Sequence, residues 1–279
     1  MLILAIDTAL DACAAGVLDT EAGQLIAQES LVMKRGHAEA LMPLIARVIK
    51  EAGIAFTALD RIAVTSGPGS FTGLRVGLSA ARGIGLAADR PVVGVTTLTA
   101  YAAPVVSQNA EQPVISAIDA RHDQVYFQAV SGNGSSLIRP RVGPIDEALE
   151  AARFGAPHLV GNAAAILSER WPADALPPFK VDAQAAPDIA WVAWLGAAVN
   201  PNTAPARPFY LRAPDAKLPK EALQKVSQPG PPSWRGCPNC GAAARRWSSP
   251  RPCATHRVWR NCMARRFTAA GAKANSRSC

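Results

Sequence analysis

The 279-residue sequence lacks long uncharged apolar runs, has few aromatic residues, and holds only one cysteine before position 237. No apolar run reaches the eighteen or more residues that a membrane-spanning helix needs, so we expect no membrane association. The first residues reach Asp7 without a basic segment, which argues against a secretory signal and favours a cytoplasmic protein. Aromatic residues make up 6% of the chain and hydrophobic residues 49%, so aliphatic side chains must fill the core.

Positive charge is scarce before Lys220 and concentrated from there to the end of the sequence. The segment 1–219 contains 17 Lys+Arg and 20 Asp+Glu, whereas the segment 220–279 contains 12 Lys+Arg and one acidic residue. The formal net charge of +8 therefore comes entirely from the segment 220–279. The segment 1–219 shows no basic patch that would indicate nucleic-acid binding, so the two parts need separate interpretations.

Hydrophobic periodicity predicts an α/β unit that occurs twice. Each unit begins with three strands and continues with alternating helices and strands, and the second unit starts near Pro113. The predicted helices cover 37–51, 73–88, 97–106, 145–153, 163–169 and 188–199. This pattern indicates two similar α/β subdomains, 1–107 and 108–219, followed by a basic tail, 220–279, rich in Cys, Arg and Pro.

A glycine-rich segment, GPGSFTGLRVG from position 67, lies between a predicted strand and a predicted helix. Consecutive amides at such a turn can hold a phosphate at the helix N-terminus. The loop residues in question are Gly67, Gly69, Ser70, Thr72 and Gly73. The segment is not a Walker A loop, because no Gly-Lys-Ser/Thr follows. The alternative is a tight turn with Thr72 as the helix N-cap, and the turn and capping preferences of these residues, taken alone, favour it.

The helix predicted after this loop is unusually rich in small residues. Gly77, Gly83 and Gly85 lie inside it, and each costs about 1 kcal/mol relative to alanine. Small side chains allow another backbone to approach closely, so the helix packs either on its own sheet or on another subunit. Arg75 in its first turn opposes the helix dipole, which indicates an acidic partner or a solvated side chain.

Familiar catalytic arrangements are missing from the segment 1–219. His37, His122 and His158 do not occur at metal-ligand spacing, and no G-x-S-x-G motif is present. Asp7 and Asp119 each end the first strand of a unit, where α/β folds often hold a metal-bound nucleotide; the alternative is an ordinary turn residue. We expect Cys13 to be a small hydrophobic residue in a strand.

Six sequence blocks, in this order and within the segment 1–219, together resemble the TsaB (YeaZ) family. They are ILAIDTA, RGHAEALMPLI, SGPGSFTGLRVGLSAARGIGLA, GVTTLTA, DARHDQVYF and PFYLRAPDAK. The resemblance implies a duplicated actin-like, sugar-kinase-type (ASKHA) α/β fold that has lost its own catalysis. It also implies a cytoplasmic, non-catalytic partner of TsaD, the subunit that forms N6-threonylcarbamoyladenosine beside the anticodon of tRNA.

The resemblance further implies the other components of the system. The small ATPase TsaE acts through the complex, the ATP-derived donor is threonylcarbamoyl-adenylate, and contact with tRNA is indirect. The chain itself would need no cofactor and no metal, and without TsaD it could form a homodimer. The catalytic relative has a histidine-pair metal site and a glycine-rich nucleotide loop, whereas this sequence has a single glycine, Gly161, in the corresponding turn.

Family interfaces use helices of the first half, so the resemblance also implies which residues contact the partner. The expected interface residues are Leu41, Ile45, Leu74, Arg75, Leu78, Ala81, Arg82 and Gly85. The alternative function is an active glycoprotease-like or kinase-like enzyme of the same superfold, which would need a nucleophile, a metal pair or a complete nucleotide loop.

The tail, 220–279, departs from the family and has two interpretations. Cys237, Cys240, Cys253 and His256 have zinc-site spacing, and a basic zinc module could touch nucleic acid. We favour the second interpretation, translation in a wrong frame downstream of a shift near Lys220. One GC-rich back-translation of 254–279 gives, in a neighbouring frame, a string that resembles a ribosomal-protein alanine N-acetyltransferase. Because hydrophobic periodicity is absent, we expect the tail to be disordered and dispensable.

Overall fold

A computed structural model of the chain describes residues 1–108 and 111–212. The tail predicted over 220–279, including Cys237, Cys240, Cys253 and His256, lies outside the described residues. Within the described ranges, two five-stranded mixed sheets follow one another along the chain.

The first sheet is built from a three-stranded antiparallel meander that two parallel strands extend. The meander is β1 (Leu2–Asp7), β2 (Ala12–Asp19) and β3 (Gln24–Val32). Strand β4 (Arg61–Gly67) pairs in parallel with β1, and β5 (Val92–Thr96) pairs in parallel with β4. The strand order is therefore β3-β2-β1-β4-β5.

The second sheet repeats this order with its own strands. They are β6 (Val114–Arg121), β7 (Gln124–Val130), β8 (Ser136–Pro144), β9 (His158–Val160) and β10 (Lys180–Asp182), arranged β8-β7-β6-β9-β10. The matching order confirms the duplicated α/β fold that the sequence predicts. Strand β10 was not predicted, because it has only three residues and no alternating pattern.

Six α-helices connect and cover the strands within the described ranges. They are α1 (His37–Glu51), α2 (Phe71–Ala88), α3 (Thr97–Val106), α4 (Ile145–Leu149), α5 (Ala164–Glu169) and α6 (Ile189–Ala198), with 3₁₀ turns at Phe56–Ala58 and Glu150–Phe154. The bounds of α1 and α3 agree with the predicted ones, and the predicted helix 145–153 changes to 3₁₀ geometry after Leu149. Among the described residues, the helices are all too short or too polar to cross a membrane.

Helices cover both faces of the first sheet. The buried stripe of α1, which includes Leu44 and Val48, belongs to one hydrophobic cluster with Leu4 of β1, as expected for apolar residues spaced three to four apart. On the opposite face, Val192 of α6 packs in a cluster with Ile3 of β1. Helix α6 follows the second sheet in the sequence but completes the core of the first.

The two sheets meet at a separate apolar cluster around α3. Leu98 and Tyr101 of α3 lie in it together with Val114 and Ile118 of β6. In β2, Cys13 is buried, which raises the pKa of its thiol to about 11. The prediction that Cys13 is a small hydrophobic residue in a strand is confirmed.

Candidate functional site

The glycine-rich loop joins β4 to α2, and its serine caps the helix. The Ser70 hydroxyl accepts a hydrogen bond from the Gly73 amide at 3.3 Å, while Thr72 lies exposed in the first helical turn. The prediction that Thr72 is the N-cap is therefore wrong. Ser70 has the extended backbone of a cap residue, and the helix begins at Phe71.

The glycines of this loop allow the end of β1 to pack directly on the start of α2. A Cβ atom at Gly69 or Gly73 would overlap the carbonyl oxygens of Ala9 and Thr8. The Ser70 amide donates to the Ala9 carbonyl at 2.7 Å, and the Thr8 hydroxyl donates to the Gly73 carbonyl at 2.8 Å. These loop groups therefore bind the protein's own backbone, and this favours the tight-turn interpretation over a phosphate cradle.

Asp7 is a fully buried carboxylate beneath this loop. Its Oδ1 atom accepts from the Thr65 hydroxyl at 2.6 Å and from the Ala9 amide at 3.0 Å. Its Oδ2 atom has no hydrogen-bond partner among the described residues. Burial raises the pKa of Asp7, although the hydrogen bond from Thr65 acts in the opposite direction. Asp7 is therefore closed off from solvent in this structure, with one oxygen bonded and the other unpaired among the described residues.

The second-half counterpart of Asp7, Asp119, is exposed and lies inside strand β6, two residues before the strand ends. Asp119 Oδ1 accepts from the Arg121 amide at 2.7 Å, and the Asp119 amide donates to Asn162 Oδ1 at 2.9 Å. A Cβ at Gly161 would overlap the Ala117 carbonyl oxygen, so the single glycine of this turn serves close packing. Asp119 is therefore neither the last residue of its strand nor a turn residue, and its carboxylate binds the backbone of its own strand.

The three histidines of the described residues lie apart from one another. The His37 ring contacts the Leu10 carbonyl oxygen at 3.0 Å, His122 lies in the turn after β6, and His158 packs against Phe179. The His158 pKa is lowered, chiefly by burial and also by Lys180. Within residues 1–108 and 111–212, no three His, Cys, Asp or Glu side chains converge at metal-binding distance.

Most of the expected interface residues face the protein's own core. Leu41, Ile45, Leu74, Leu78, Ala81 and Gly85 are buried. Five of them belong to the cluster beneath α1 and α2 or lie against it, and Leu74 belongs to the cluster around α3, while Leu41 also lines the groove described next. Their contact with a partner stays a prediction. Arg75 and Arg82 are exposed and remain candidates.

The outer surface of the same two helices forms an apolar groove, which we call the α1–α2 face. A cavity of about 540 Å³ lies between Ala38 and Met42 of α1 and Phe71 and Val76 of α2. A second cavity of about 410 Å³ continues it past Met42 towards Ala87. Met42 and Phe71 both line the first cavity and are 48% and 46% exposed, and apolar side chains that share an exposed patch are typical of an interaction surface.

A C-terminal segment, 204–212, lies beside this face and fixes both of its arginines. The Arg82 guanidinium donates to the Ala206 carbonyl, with Nε at 3.0 Å. The Arg75 guanidinium carbon lies 3.7 Å from the centre of the Phe71 ring, and Arg75 Nε lies 3.4 Å from the Tyr210 hydroxyl. Arg75 thus holds Phe71 and Tyr210 together at the edge of the α1–α2 face, a role that nothing in the sequence indicated for Tyr210.

Comparison with known proteins decides the family. The family model for TsaD, tRNA N6-adenosine threonylcarbamoyltransferase, matches residues 25–170. A solved Pseudomonas aeruginosa protein with similarity to peptidase YeaZ shares 30% identity and a TM-score of 0.63, over 76% of this chain and 99% of its own. The chain belongs to the TsaB/YeaZ family.

Curated relatives support the same assignment over different lengths. The TsaB protein of Escherichia coli, named for tRNA threonylcarbamoyladenosine biosynthesis, is 37% identical over 127 residues, or 46% of this chain and 54% of that protein. An uncharacterized Mycobacterium tuberculosis protein is 33% identical over 220 residues, or 77% of this chain and 93% of that protein. The chain thus spans about half the length of the TsaB relatives that it matches first. The resemblance that the six sequence blocks indicated is confirmed.

Proposed function

We propose that this chain is a non-catalytic subunit of the assembly that forms N6-threonylcarbamoyladenosine next to the anticodon of tRNA. In this proposal it binds the transferase TsaD and supports the transfer reaction, while TsaE acts through the complex. The donor, threonylcarbamoyl-adenylate, and the tRNA are handled by the other subunits. The membership of the TsaB/YeaZ family is the starting point for the proposal.

The observation that carries the proposal is the pairing of an enclosed loop with an exposed apolar face. The amides of Ser70 and Gly73 are bonded internally, and Asp7 is buried. The α1–α2 face leaves Met42 and Phe71 open to solvent. Covering such a patch with a partner removes apolar area from water at about 25 cal/mol per Å².

TsaD is the occupant to which we commit. The TsaD family model matches more than half of this chain, so the two proteins share an architecture. Related folds can pair through equivalent helices in a pseudo-symmetric way, as identical chains do around a two-fold axis. In the absence of TsaD, a second copy of this chain would cover the same face.

The decisive experiment places a charge at the centre of the face. Met42 lines both cavities, so Met42→Glu should abolish co-elution with TsaD in size-exclusion chromatography and the threonylcarbamoyladenosine formed by the reconstituted system. The matched control is Leu176→Glu, which also places a carboxylate at an exposed apolar position but away from both cavities. The control should assemble like the wild type.

Two results would overturn the proposal. One is normal assembly by a folded Met42→Glu variant, which would remove the α1–α2 face from the interface. The other is robust ATP hydrolysis or tRNA modification by the isolated chain that is lost on changing Asp7 or Asp119, since that would make the chain an enzyme in its own right.

A further inference from the structure

A cavity in the second half of the chain is lined mainly by arginines. It has a volume of about 290 Å³ and lies between residues 137–141 of β8 and Arg153 of the 3₁₀ turn Glu150–Phe154. Half of its six lining residues are arginines, Arg139, Arg141 and Arg153, and none of these described lining residues is acidic. The cavity shares no lining residue with the two cavities of the α1–α2 face. Because like charges repel, such a cavity favours an anion.

Arg141 is paired on one side of its guanidinium only. Its Nη1 atom lies 2.9 Å from Glu147 Oε1, whereas its Nε atom is buried and has no hydrogen-bond partner among the described residues. The Nε side of a guanidinium can bind two oxygens at once, as Arg47 does with Glu29, through Nε at 2.9 Å and Nη2 at 2.6 Å. A buried charged donor without an acceptor is costly, so the Nε side of Arg141 indicates a missing oxygen.

The other two arginines have little or no compensating negative charge. Arg153 Nη1 lies 3.8 Å from Glu150 Oε2, and both side chains are more than half exposed, so this pair contributes little. Arg139 is exposed and forms no ion pair with a carboxylate of the described residues. In these ion pairs three guanidiniums are thus opposed by two carboxylates, Glu147 and Glu150, and neither carboxylate lines the cavity. An anion in the cavity would neutralise the excess positive charge.

Aromatic rings hold two of the guanidiniums in place. The Arg141 guanidinium carbon lies 5.1 Å from the centre of the Phe127 ring, and that of Arg153 lies 4.9 Å from the centre of the Phe154 ring. Such contacts restrict the arginine side chains before a ligand arrives. An arginine that is already ordered loses less conformational freedom when it binds an anion, which favours binding.

The backbone of β8 bulges at the arginines. Arg139 and Pro140 of β8 together oppose the single residue Gln128 of β7, so β8 contains an extra residue here. Strand β8 is also an edge strand of the second sheet. A bulge and a proline both disfavour the addition of a further strand to such an edge. The edge is therefore poorly suited to pairing with another protein chain, and it leaves the arginines accessible to a small ligand.

We propose that this cavity binds the phosphate group of a small molecule, either inorganic phosphate or a phosphomonoester. A phosphate has more oxygens than a carboxylate, which suits the convergence of several guanidiniums. Two of its oxygens would bind the Nε side of Arg141, and Arg139 and Arg153 would neutralise the remaining charge. The volume lies just below the range of about 300–1,000 Å³ that is typical of drug-sized ligands, so any group attached to the phosphate is small.

The phosphate backbone of RNA has the same chemistry, but the charge distribution disfavours it as the ligand. Binding such a backbone requires basic side chains that contact several successive phosphates. The segment 1–219 contains 17 Lys+Arg against 20 Asp+Glu. The arginines of this cavity therefore form a local cluster on an acidic body, which suits one phosphate group better than a chain of them.

The test uses inorganic phosphate as the first probe and phenyl phosphate as the second. Each is titrated into the full chain at constant ionic strength, and binding is followed by NMR of the Leu137 and Ile138 methyl groups, which line the cavity. Both probes should shift these resonances saturably, and the tighter one shows whether the site prefers free phosphate or an ester. Acetate, which has a carboxylate and a single charge, should bind about ten-fold more weakly.

Three variants connect this binding to the arginines. Arg139→Gln removes a guanidinium that has no ion pair among the described residues, so the fold should be unaffected, and phosphate binding should weaken about ten-fold. Arg139→Lys keeps the charge without the planar fork and should give an intermediate affinity. Arg35→Gln is the matched control, because Arg35 is also exposed without an ion pair among the described residues and does not line the cavity. It should leave the affinity unchanged.

Three results would overturn the proposal. One is the absence of saturable shifts with both phosphate probes. Another is an equal loss of affinity in Arg139→Gln and Arg35→Gln, which would indicate a general effect of net charge. The third is binding of tRNA, but of neither probe, at these methyl groups, which would make the cluster an RNA contact. None of these measurements involves TsaD or the α1–α2 face, so their outcome is independent of the proposed function.

Discussion

Arg61 connects two parts of the chain that are far apart in sequence. From the first residue of β4, its Nη1 atom donates to the carbonyl oxygens of Gly196, Ala197 and Val199 at 2.8–3.0 Å. These are carbonyls at the end of α6, where the helix leaves acceptors unpaired and a positive charge is favourable. No sequence pattern indicated this contact, because the partners are backbone atoms 135 or more positions away.

We therefore predict that Arg61→Ala lowers the free energy of unfolding by about 2 kcal/mol, since hydrogen bonds to a charged group contribute about 1.5–3 kcal/mol. Chemical denaturation of the purified chain measures the loss. Arg90→Ala is the control, because Arg90 donates one hydrogen bond to the Thr57 carbonyl from an exposed position. A loss no larger than that of the control would show that the three carbonyls are satisfied in another way.

Asp7 makes stability depend on pH. Burial favours its neutral form, so its pKa in the folded chain is raised above the ordinary value of 3.8. A group with a raised pKa contributes most below its unfolded pKa, and the contribution is lost as pH rises through the folded pKa. Asp7→Asn cannot titrate and should gain stability relative to the wild type as pH increases from about 4. Denaturation curves at a series of pH values test this, and a pH-independent difference would refute it.

At the scale of elements, α2 shows how one residue type serves two purposes. Gly73 faces the Thr8 carbonyl oxygen so closely that a Cβ would overlap it, whereas a Cβ at Gly83 meets no atom within 4 Å. Both glycines lie in the same helix, but only the first is required by close packing. The sequence shows that this helix is rich in glycine and cannot separate these roles.

This contrast predicts opposite effects of one substitution. Gly83→Ala should raise the free energy of unfolding by about 0.5–1 kcal/mol, because alanine restricts the unfolded chain and favours the helix. Gly73→Ala should lower it by about 1–3 kcal/mol through overpacking. Thermal or chemical denaturation of the two variants side by side provides the measurement. A stabilising Gly73→Ala would mean that β1 and α2 can separate without cost.

Helix positions were predictable from the sequence, but the exposed face was not. The apolar spacing in α1 gives its bounds correctly from His37 to Glu51. Leu41 and Ile45 belong to that same apolar stripe, and a stripe of this kind packs on the sheet beneath it. Met42 lies outside the stripe and is 48% exposed, and the pattern alone does not distinguish it from ordinary exposed positions.

At the scale of the whole molecule, the sequence indicated the duplication but not the hydrogen bonds by which segment 204–212 contacts both sheets. The repeated order of strands and helices indicated two α/β halves, and both sheets have the same strand order. Segment 204–212 contains no regular element, yet it bonds to both sheets. The Phe209 amide donates to the Ser66 carbonyl at 2.7 Å, and Arg212 donates to the Ala120 carbonyl at 3.3 Å. Contacts of this kind depend on backbone positions rather than on side-chain patterns.

Two truncations test how much of the chain the fold requires. A chain ending at Lys220 keeps 18 Lys+Arg and 20 Asp+Glu, so its formal net charge changes from +8 to −2. Its Tm and its binding to TsaD should stay unchanged. A chain ending at Thr203 loses the hydrogen bonds of the Ala204, Ala206 and Phe209 backbone. Its stability should fall by about 3 kcal/mol, or about 6–12 °C in Tm.

Calorimetry of both truncated chains gives the comparison. A large loss of stability or of TsaD binding on ending at Lys220 would contradict the expectation that the tail is dispensable. So would stoichiometric zinc held by Cys237, Cys240, Cys253 and His256 in the full chain, since that would make the tail a working module.

The position of α6 on the first sheet has a consequence for how the protein is made. The ribosome completes β5 at Thr96 but must add everything up to Ala198 before α6 is finished, which takes about 5–20 s at ordinary elongation rates. During that interval the face of the nascent sheet that includes Ile3 and Ala5 has no helix α6 to cover it. The growing chain therefore exposes an apolar sheet face to which chaperones can bind for much of its translation. Substitutions that slow translation before α6 should increase aggregation without changing the stability of the finished protein.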